Sequence, residues 1–182
     1  MDGRAVAKVT AGAVLPVAVA VGVYLFGREH TPNYNTSLFG QTGDAGKHLK
    51  AQMATGLLAL ALVQVGLALW MYGRLPRVEP APHRVRTGHR VIGLLAFLLS
   101  LPIAAHCLVT YGVQFYTTRV AVHSITGCVL YGAFVAKVVV VRSPRLPGFA
   151  LPIAGGVLAA AIGLMWYVAA LWQFNGLSVP GF

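Results

Sequence analysis

The chain has 182 residues, 57% of them hydrophobic and only 10% charged, with a mean hydropathy of +0.72. A soluble domain of this size covers its surface with about 25% charged residues, so that class is excluded and an all-α integral membrane bundle is expected. The net charge of +10 reports topology, because Lys and Arg gather on cytoplasmic loops, and no nucleic-acid partner is expected.

A bilayer core of roughly 30 Å takes about 20 residues of helix, and five apolar runs approach or exceed that length within a single domain spanning 1–182. The first, at about 9–26, follows Arg4 and Lys8 as a signal peptide would. No small-residue cleavage site comes before Gly27-Arg28-Glu29-His30, so it reads as a retained helix with Pro16 as its kink point. Residues 28–47 form a polar loop, and Lys47-His48-Leu49-Lys50 leads into a second span at about 51–72, whose polar members are Gln52 and Gln64. Residues 73–88 are a basic connection whose three prolines exclude a helix through its centre.

The third span is expected at about 89–112 and the fourth at about 119–141, joined by a short turn into an antiparallel hairpin. A turn over residues 143–148 leads to the fifth span, at about 149–174, with Trp166, Tyr167 and Trp172 toward its end, where aromatic rings favour the interface. Five spans put the termini on opposite sides. Arg4, Lys8, Arg74, Arg77, Arg84, Arg86, Arg90, Lys137, Arg142 and Arg145 fall on the N-terminal side; only Arg28, Lys47, Lys50 and Arg119 fall on the other. The positive-inside rule then places the N-terminus in the cytoplasm and the C-terminus outside, in a multi-pass protein of the cell membrane.

Chemistry is expected in the hairpin, because ionisable residues inside a span are costly and mark function. His106 and His123 lie equally far from the turn, so both imidazoles sit at one depth in the outer leaflet. His123 is followed by Gly127 four residues later, as His89 is by Gly93. Positions i and i+4 share a helix face, and the glycine clears space for a flat macrocycle such as haem. Arg119 precedes His123 by four residues on that face and is placed to hold a haem propionate. Haem b needs no covalent motif and can be held by two imidazoles; no C-x-x-C-H is present. The competing reading is structural: such a histidine can bond a neighbouring carbonyl or hydroxyl, worth roughly 1 kcal/mol.

The remaining histidines are less informative. His89 lies about 26 Å from His106 along a helix and on another face, so it reads as an interfacial or loop-contacting residue; a second haem there would need a partner such as Met71. His48, between two lysines, is a surface residue, a propionate contact, or a ligand in place of His106 or His123. His48, His106 and His123 together offer an outer-facing copper or zinc site, since imidazole suits both metals. Cys107 and Cys128 fall at different depths and are not expected to pair. The four acids, Asp2, Glu29, Asp44 and Glu79, lie in termini or loops, which argues against a proton-coupled pump or an ion channel. There is no phosphate-binding glycine loop, H-E-x-x-H or serine–histidine–acid grouping, and no catalytic residue is assigned.

The segments TGHRVIGLLAFLLSLPIAAHCL and VAVHSITGCVLYGAFVAKVVVVR resemble a family of uncharacterised five-helix prokaryotic membrane proteins over roughly residues 47–172. That family is similar in turn to transmembrane cytochromes b of the ascorbate-reducible and ferric-reductase type, mainly across the histidine-bearing helices. The second resemblance implies haem b held between histidines of neighbouring helices, here His106 and His123, and electron exchange with quinol, ascorbate, metal ions or a protein. Two-haem members carry paired histidines closer together on one helix than His89 and His106 are.

The expected function is a b-type cytochrome with one bis-histidine haem in the outer leaflet, contacted by Arg119 and by His48 or Lys47. It would relay electrons between quinol and an extracytoplasmic partner, or serve as a subunit of a redox complex. The alternatives are a cofactor-free accessory or assembly subunit of a larger membrane complex, and the copper- or zinc-binding protein.

Overall fold

A computed structural model describes residues 3–143 and 146–182, with side chains from residue 14 onward. Within them the chain forms five long helices: α1 (Gly3–Glu29), α2 (Gly43–Met71), α3 (His83–Tyr111), α4 (Thr118–Arg142) and α5 (Ala150–Phe174). The nearest approach to β structure among these residues is an isolated bridge between Leu38 and Gln41 in the α1–α2 loop. By length and composition α2, α3, α4 and α5 can each cross a membrane, and α1 packs along α4 as the fifth member of the bundle. Arg4, Lys8 and the first residues of the 9–26 run belong to the side chains not described. Pro144 and Arg145, inside the turn expected at 143–148, lie outside the described residues.

Three helices begin well before their apolar runs. The first starts at Gly3 rather than 9, the second at Gly43 rather than 51, and the third at His83 rather than 89. Hydropathy marks only the stretch that needs lipid, whereas the helix continues while backbone and local pairs favour it. Asp44 sits in the first turn of α2, where the helix dipole favours a carboxylate, and accepts a 2.9 Å bond from Lys47 one turn on. All three prolines of the basic connection precede His83, with Pro82 as the residue before the first turn. At 29 residues each, α2 and α3 are about 43 Å long, enough for hydrocarbon core and headgroups together.

The helices alternate in direction. One end of the bundle, called the mouth here, gathers the starts of α2 and α4 and the ends of α1, α3 and α5. There Val113 N–H donates to the Gly27 carbonyl (2.8 Å) and Asn33 N–H donates to the Val109 carbonyl (3.0 Å). Gly112 turns the chain at φ +66, and a Cβ on it would stand 2.6 Å from the Gly27 carbonyl oxygen. α4 is started by Thr117, whose hydroxyl accepts from the Val120 N–H (3.2 Å).

The closest packing is α1 on α4, α4 on α5, α2 on α3, and α2 on the last third of α5. The α1–α4 contact depends on Gly132, where an added Cβ would lie 2.8 Å from the Pro16 carbonyl oxygen and 3.0 Å from Ala20 Cβ. Such small-residue contacts are how helices approach in lipid, where hydrophobic burial supplies no drive between them. α3 and α4, neighbours in sequence, are not among the closely packed pairs and touch through long side chains. Phe97 and Phe134 stack with centroids 4.2 Å apart, and the Tyr131 hydroxyl donates to the Ser100 carbonyl (3.1 Å). A cluster of Leu57, Ala61, Ala96, Leu130, Ala161 and Ile162 ties α2, α3, α4 and α5 together and floors a space between these helices on the mouth side.

Candidate functional site

That space is a cavity of about 740 Å³ opening toward the mouth, within the range of roughly 300–1,000 Å³ typical of ligand sites. Each wall is a stripe at helical spacing. Lys47, Lys50, Ala54 and Leu57 come from α2; Ser100, Ala104, Cys107 and Tyr111 from α3; Arg119, His123, Gly127 and Tyr131 from α4; Ile162, Met165, Ala169 and Gln173 from α5. Val23 of α1 also lines the cavity. α1 can come that close because Gly27 has no side chain: a Cβ there would lie 2.6 Å from Val113 Cγ2, and Val113 is 3% exposed.

The cavity has two chemistries. Its floor is Leu57, Leu130, Ile162 and Met165, and its rim carries Lys47, His48, Lys50 and Arg119. Asp44 is the one carboxylate among the lining residues, and it is engaged by Lys47. Lys50 holds its ammonium 4.3 Å over the Tyr111 ring. The arrangement suits a ligand with an apolar body and anionic groups at one edge.

Arg119 is fixed by a local irregularity of α5. From Trp166 to Leu171 the helix takes one π-helical turn, which breaks the regular carbonyl ladder and is often found at functional sites. Within that turn the Arg119 Nη1–H donates to the Val168 carbonyl (2.8 Å), and the guanidinium lies 3.7 Å over the Trp172 ring. Val168 itself is 0% exposed. The contact holds the guanidinium at the rim, against the positive field of α2's lysines. Trp166 closes the α2–α5 side by donating Nε1–H to Thr55 Oγ1 (3.0 Å).

Of the residues expected to hold a cofactor, His48, Arg119, His123 and Gly127 line this one cavity. His106 has other contacts. It is 7% exposed, and its Nε2 lies 3.1 Å from the Thr36 carbonyl of the α1–α2 loop. A carbonyl only accepts, so Nε2 carries the proton, and Nδ1 accepts from the Thr110 hydroxyl at 3.2 Å. Both ring nitrogens are engaged within the protein. His123 differs: its Nδ1 is buried without a hydrogen-bond partner, although buried polar atoms are nearly always paired. Gly127, one turn deeper, faces Met165, whose Cε would be 3.5 Å from an added Cβ, so a flexible thioether edges the clearing there.

The other histidines are placed as follows. His30 Nε2–H donates to the Val109 carbonyl (3.1 Å), and its ring stacks on Phe26. The His89 carbonyl accepts from Gln64 Nε2 (2.6 Å), while His89 Nδ1 and Gln64 Oε1 are buried without partners. The outer-facing metal set is not assembled. Among the described residues no group of three or more His, Cys, Asp and Glu is close enough to hold a metal ion, because His106 is turned to the loop. Cys107 and Cys128 are both free thiols. Sequence reasoning missed Lys50, Tyr111 and the π-helical turn. The repeat of Lys47 and Lys50 on the Ala54–Leu57 face was the available signal for the first.

A family model covering residues 9–181 matches the chain, described as a family of unknown function, DUF6529. The chain belongs to DUF6529. No curated protein and no solved structure matches it. For this DUF6529 member the cavity therefore carries the functional argument on its own.

Proposed function

We propose that the chain is a b-type cytochrome of the cell membrane, with haem b in the cavity and His123 as an iron ligand. The observation that carries the reading is the buried, unpartnered Nδ1 of His123 in a cavity with an apolar floor and a cationic rim. The residues fit the group. His123 offers an imidazole that no protein partner occupies at Nδ1, Arg119 and Lys50 stand where carboxylates would emerge, and Leu57, Leu130 and Ile162 meet an apolar edge. Charge-assisted bonds from such cations are worth about 1.5–3 kcal/mol each. Bound haem b supplies a one-electron couple tuned by its ligands and burial.

The chain's own residues do the rest. His123 would hold the iron from α4, Arg119 and Lys50 would neutralise the anionic edge, and the floor cluster would exclude water. Among the described side chains seven Lys and Arg lie at the end away from the mouth and four at the mouth, which by the positive-inside rule puts the former end in the cytoplasm and the mouth outside. The protein then passes electrons between a membrane quinol and an extracytoplasmic carrier, or does so as a subunit of a redox complex. Purification in mild detergent, with oxidised and dithionite-reduced spectra and a pyridine haemochrome assay, tests this. The expected result is a Soret band, sharp reduced α and β bands and one haem b per chain, all abolished by His123→Ala. A colourless protein after expression with ample haem would leave the cofactor-free accessory subunit as the reading.

A further inference from the structure

We infer that the second ligand across this cavity is His48 of α2, not the histidine that mirrors His123 in the hairpin; the assignment rests on the haem reading above. A second ligand would come from a wall of the cavity other than α4. α4 packs on α1 and α5, while α2 packs on α3 and the last third of α5. The cavity is lined by both α2 and α4, which are not among the closely packed pairs. His48 and His123 both line it.

α2 begins at Gly43 and α4 at Thr118, both at the mouth and both running away from it. Each histidine is the fifth residue after its helix start, about 7.5 Å down its own axis at 1.5 Å per residue. Spacing along the helices therefore admits His48 beside the hairpin pair, and hydrogen bonding separates the candidates. His106 has Nε2–H on the Thr36 carbonyl and Nδ1 on Thr110, and ligation would break at least one of these bonds. His48 is exposed at the rim with its ring 6.5 Å from that of Phe174. Lys47, one residue nearer the mouth than His48, and Arg119, one turn before His123, put cations on the mouth side of the two imidazoles, and the Lys50 ammonium lies over Tyr111 at the end of α3.

Purified wild type and the variants His48→Ala, His48→Met and His106→Ala, examined by absorption, electron paramagnetic resonance and carbon monoxide binding, test the assignment. Wild type is expected to be low-spin and unreactive toward carbon monoxide. His48→Ala should keep its haem on His123 but become high-spin, bind carbon monoxide when reduced, and return to low-spin on adding free imidazole. If His48→Ala does not accumulate, His48→Met decides the point: it should stay six-coordinate with a raised midpoint potential, since thioether ligation favours the reduced state. His106→Ala should keep the wild-type spectrum. A low-spin, carbon-monoxide-silent His48→Ala, or an unshifted potential in His48→Met, would overturn the assignment while leaving haem binding intact. A high-spin His106→Ala would return the hairpin pair. A wild type without haem would remove the cytochrome reading and this assignment with it.

Discussion

At the residue scale the two histidines at matched depth in the hairpin have opposite environments. His106 joins α3 to the α1–α2 loop by donating to the Thr36 carbonyl and accepts from Thr110 within α3, whereas His123 leaves a buried nitrogen unpaired. Truncating one partner of a buried hydrogen bond strands the other at about 1–3 kcal/mol. His106→Leu should therefore lower the melting temperature in detergent by an amount of that order, through the stranded Thr36 carbonyl and Thr110 hydroxyl. His123→Leu, which strands no identified partner, should cost the apoprotein little or stabilise it. Thermal unfolding of the two apoproteins compares them, and a larger loss from His123→Leu would contradict this division of roles.

At the element scale the bundle is held by close helix approaches at glycine and opened by one irregular turn. Gly132 lets α1 lie against α4 with the Pro16 carbonyl in the way of any side chain. Overpacking at such a site costs typically 1–3 kcal/mol. Gly132→Val should separate α1 from α4, destabilise the detergent-solubilised protein, and loosen the cavity where Val23 closes it. Gly155→Val, on α5 with no atom within 4 Å of an added Cβ, is the matched control. Equal melting temperatures for the two variants would show that α1 is not held this way. The π-helical turn acts in the other direction, giving up a regular carbonyl so that Arg119 can be seated at the rim.

At the scale of the whole molecule the proposed orientation rests on the distribution of charge. The mouth carries Arg28, Lys47, Lys50 and Arg119, and among the described side chains the opposite end carries Arg74, Arg77, Arg84, Arg86, Arg90, Lys137 and Arg142. Single cysteines at Gln41 and Val78, each introduced into a chain with Cys107→Ala and Cys128→Ala, read the two ends. A membrane-impermeant maleimide added to intact cells should label Gln41→Cys directly and Val78→Cys only after permeabilisation. The reverse pattern would invert the topology and put the cavity at the cytoplasmic face.

Much of this protein is legible in one dimension. Twenty-residue apolar runs, scarce charge and basic loops determine an all-helical membrane bundle, because lipid leaves the backbone no partner but itself. The same periodicity places Arg119, His123 and Gly127 on one face of α4, as the cavity wall has them. What only the tertiary structure decides is which depth-matched groups face one another. Adjacent segments of a hairpin need not pack closely, and here α3 and α4 are not among the closely packed pairs while α2 and α5 supply further walls of the cavity. The fate of His106 rests on a carbonyl 70 positions away in sequence, at Thr36. No periodicity within α3 encodes that contact, because it depends on how the α1–α2 loop folds over the end of the bundle.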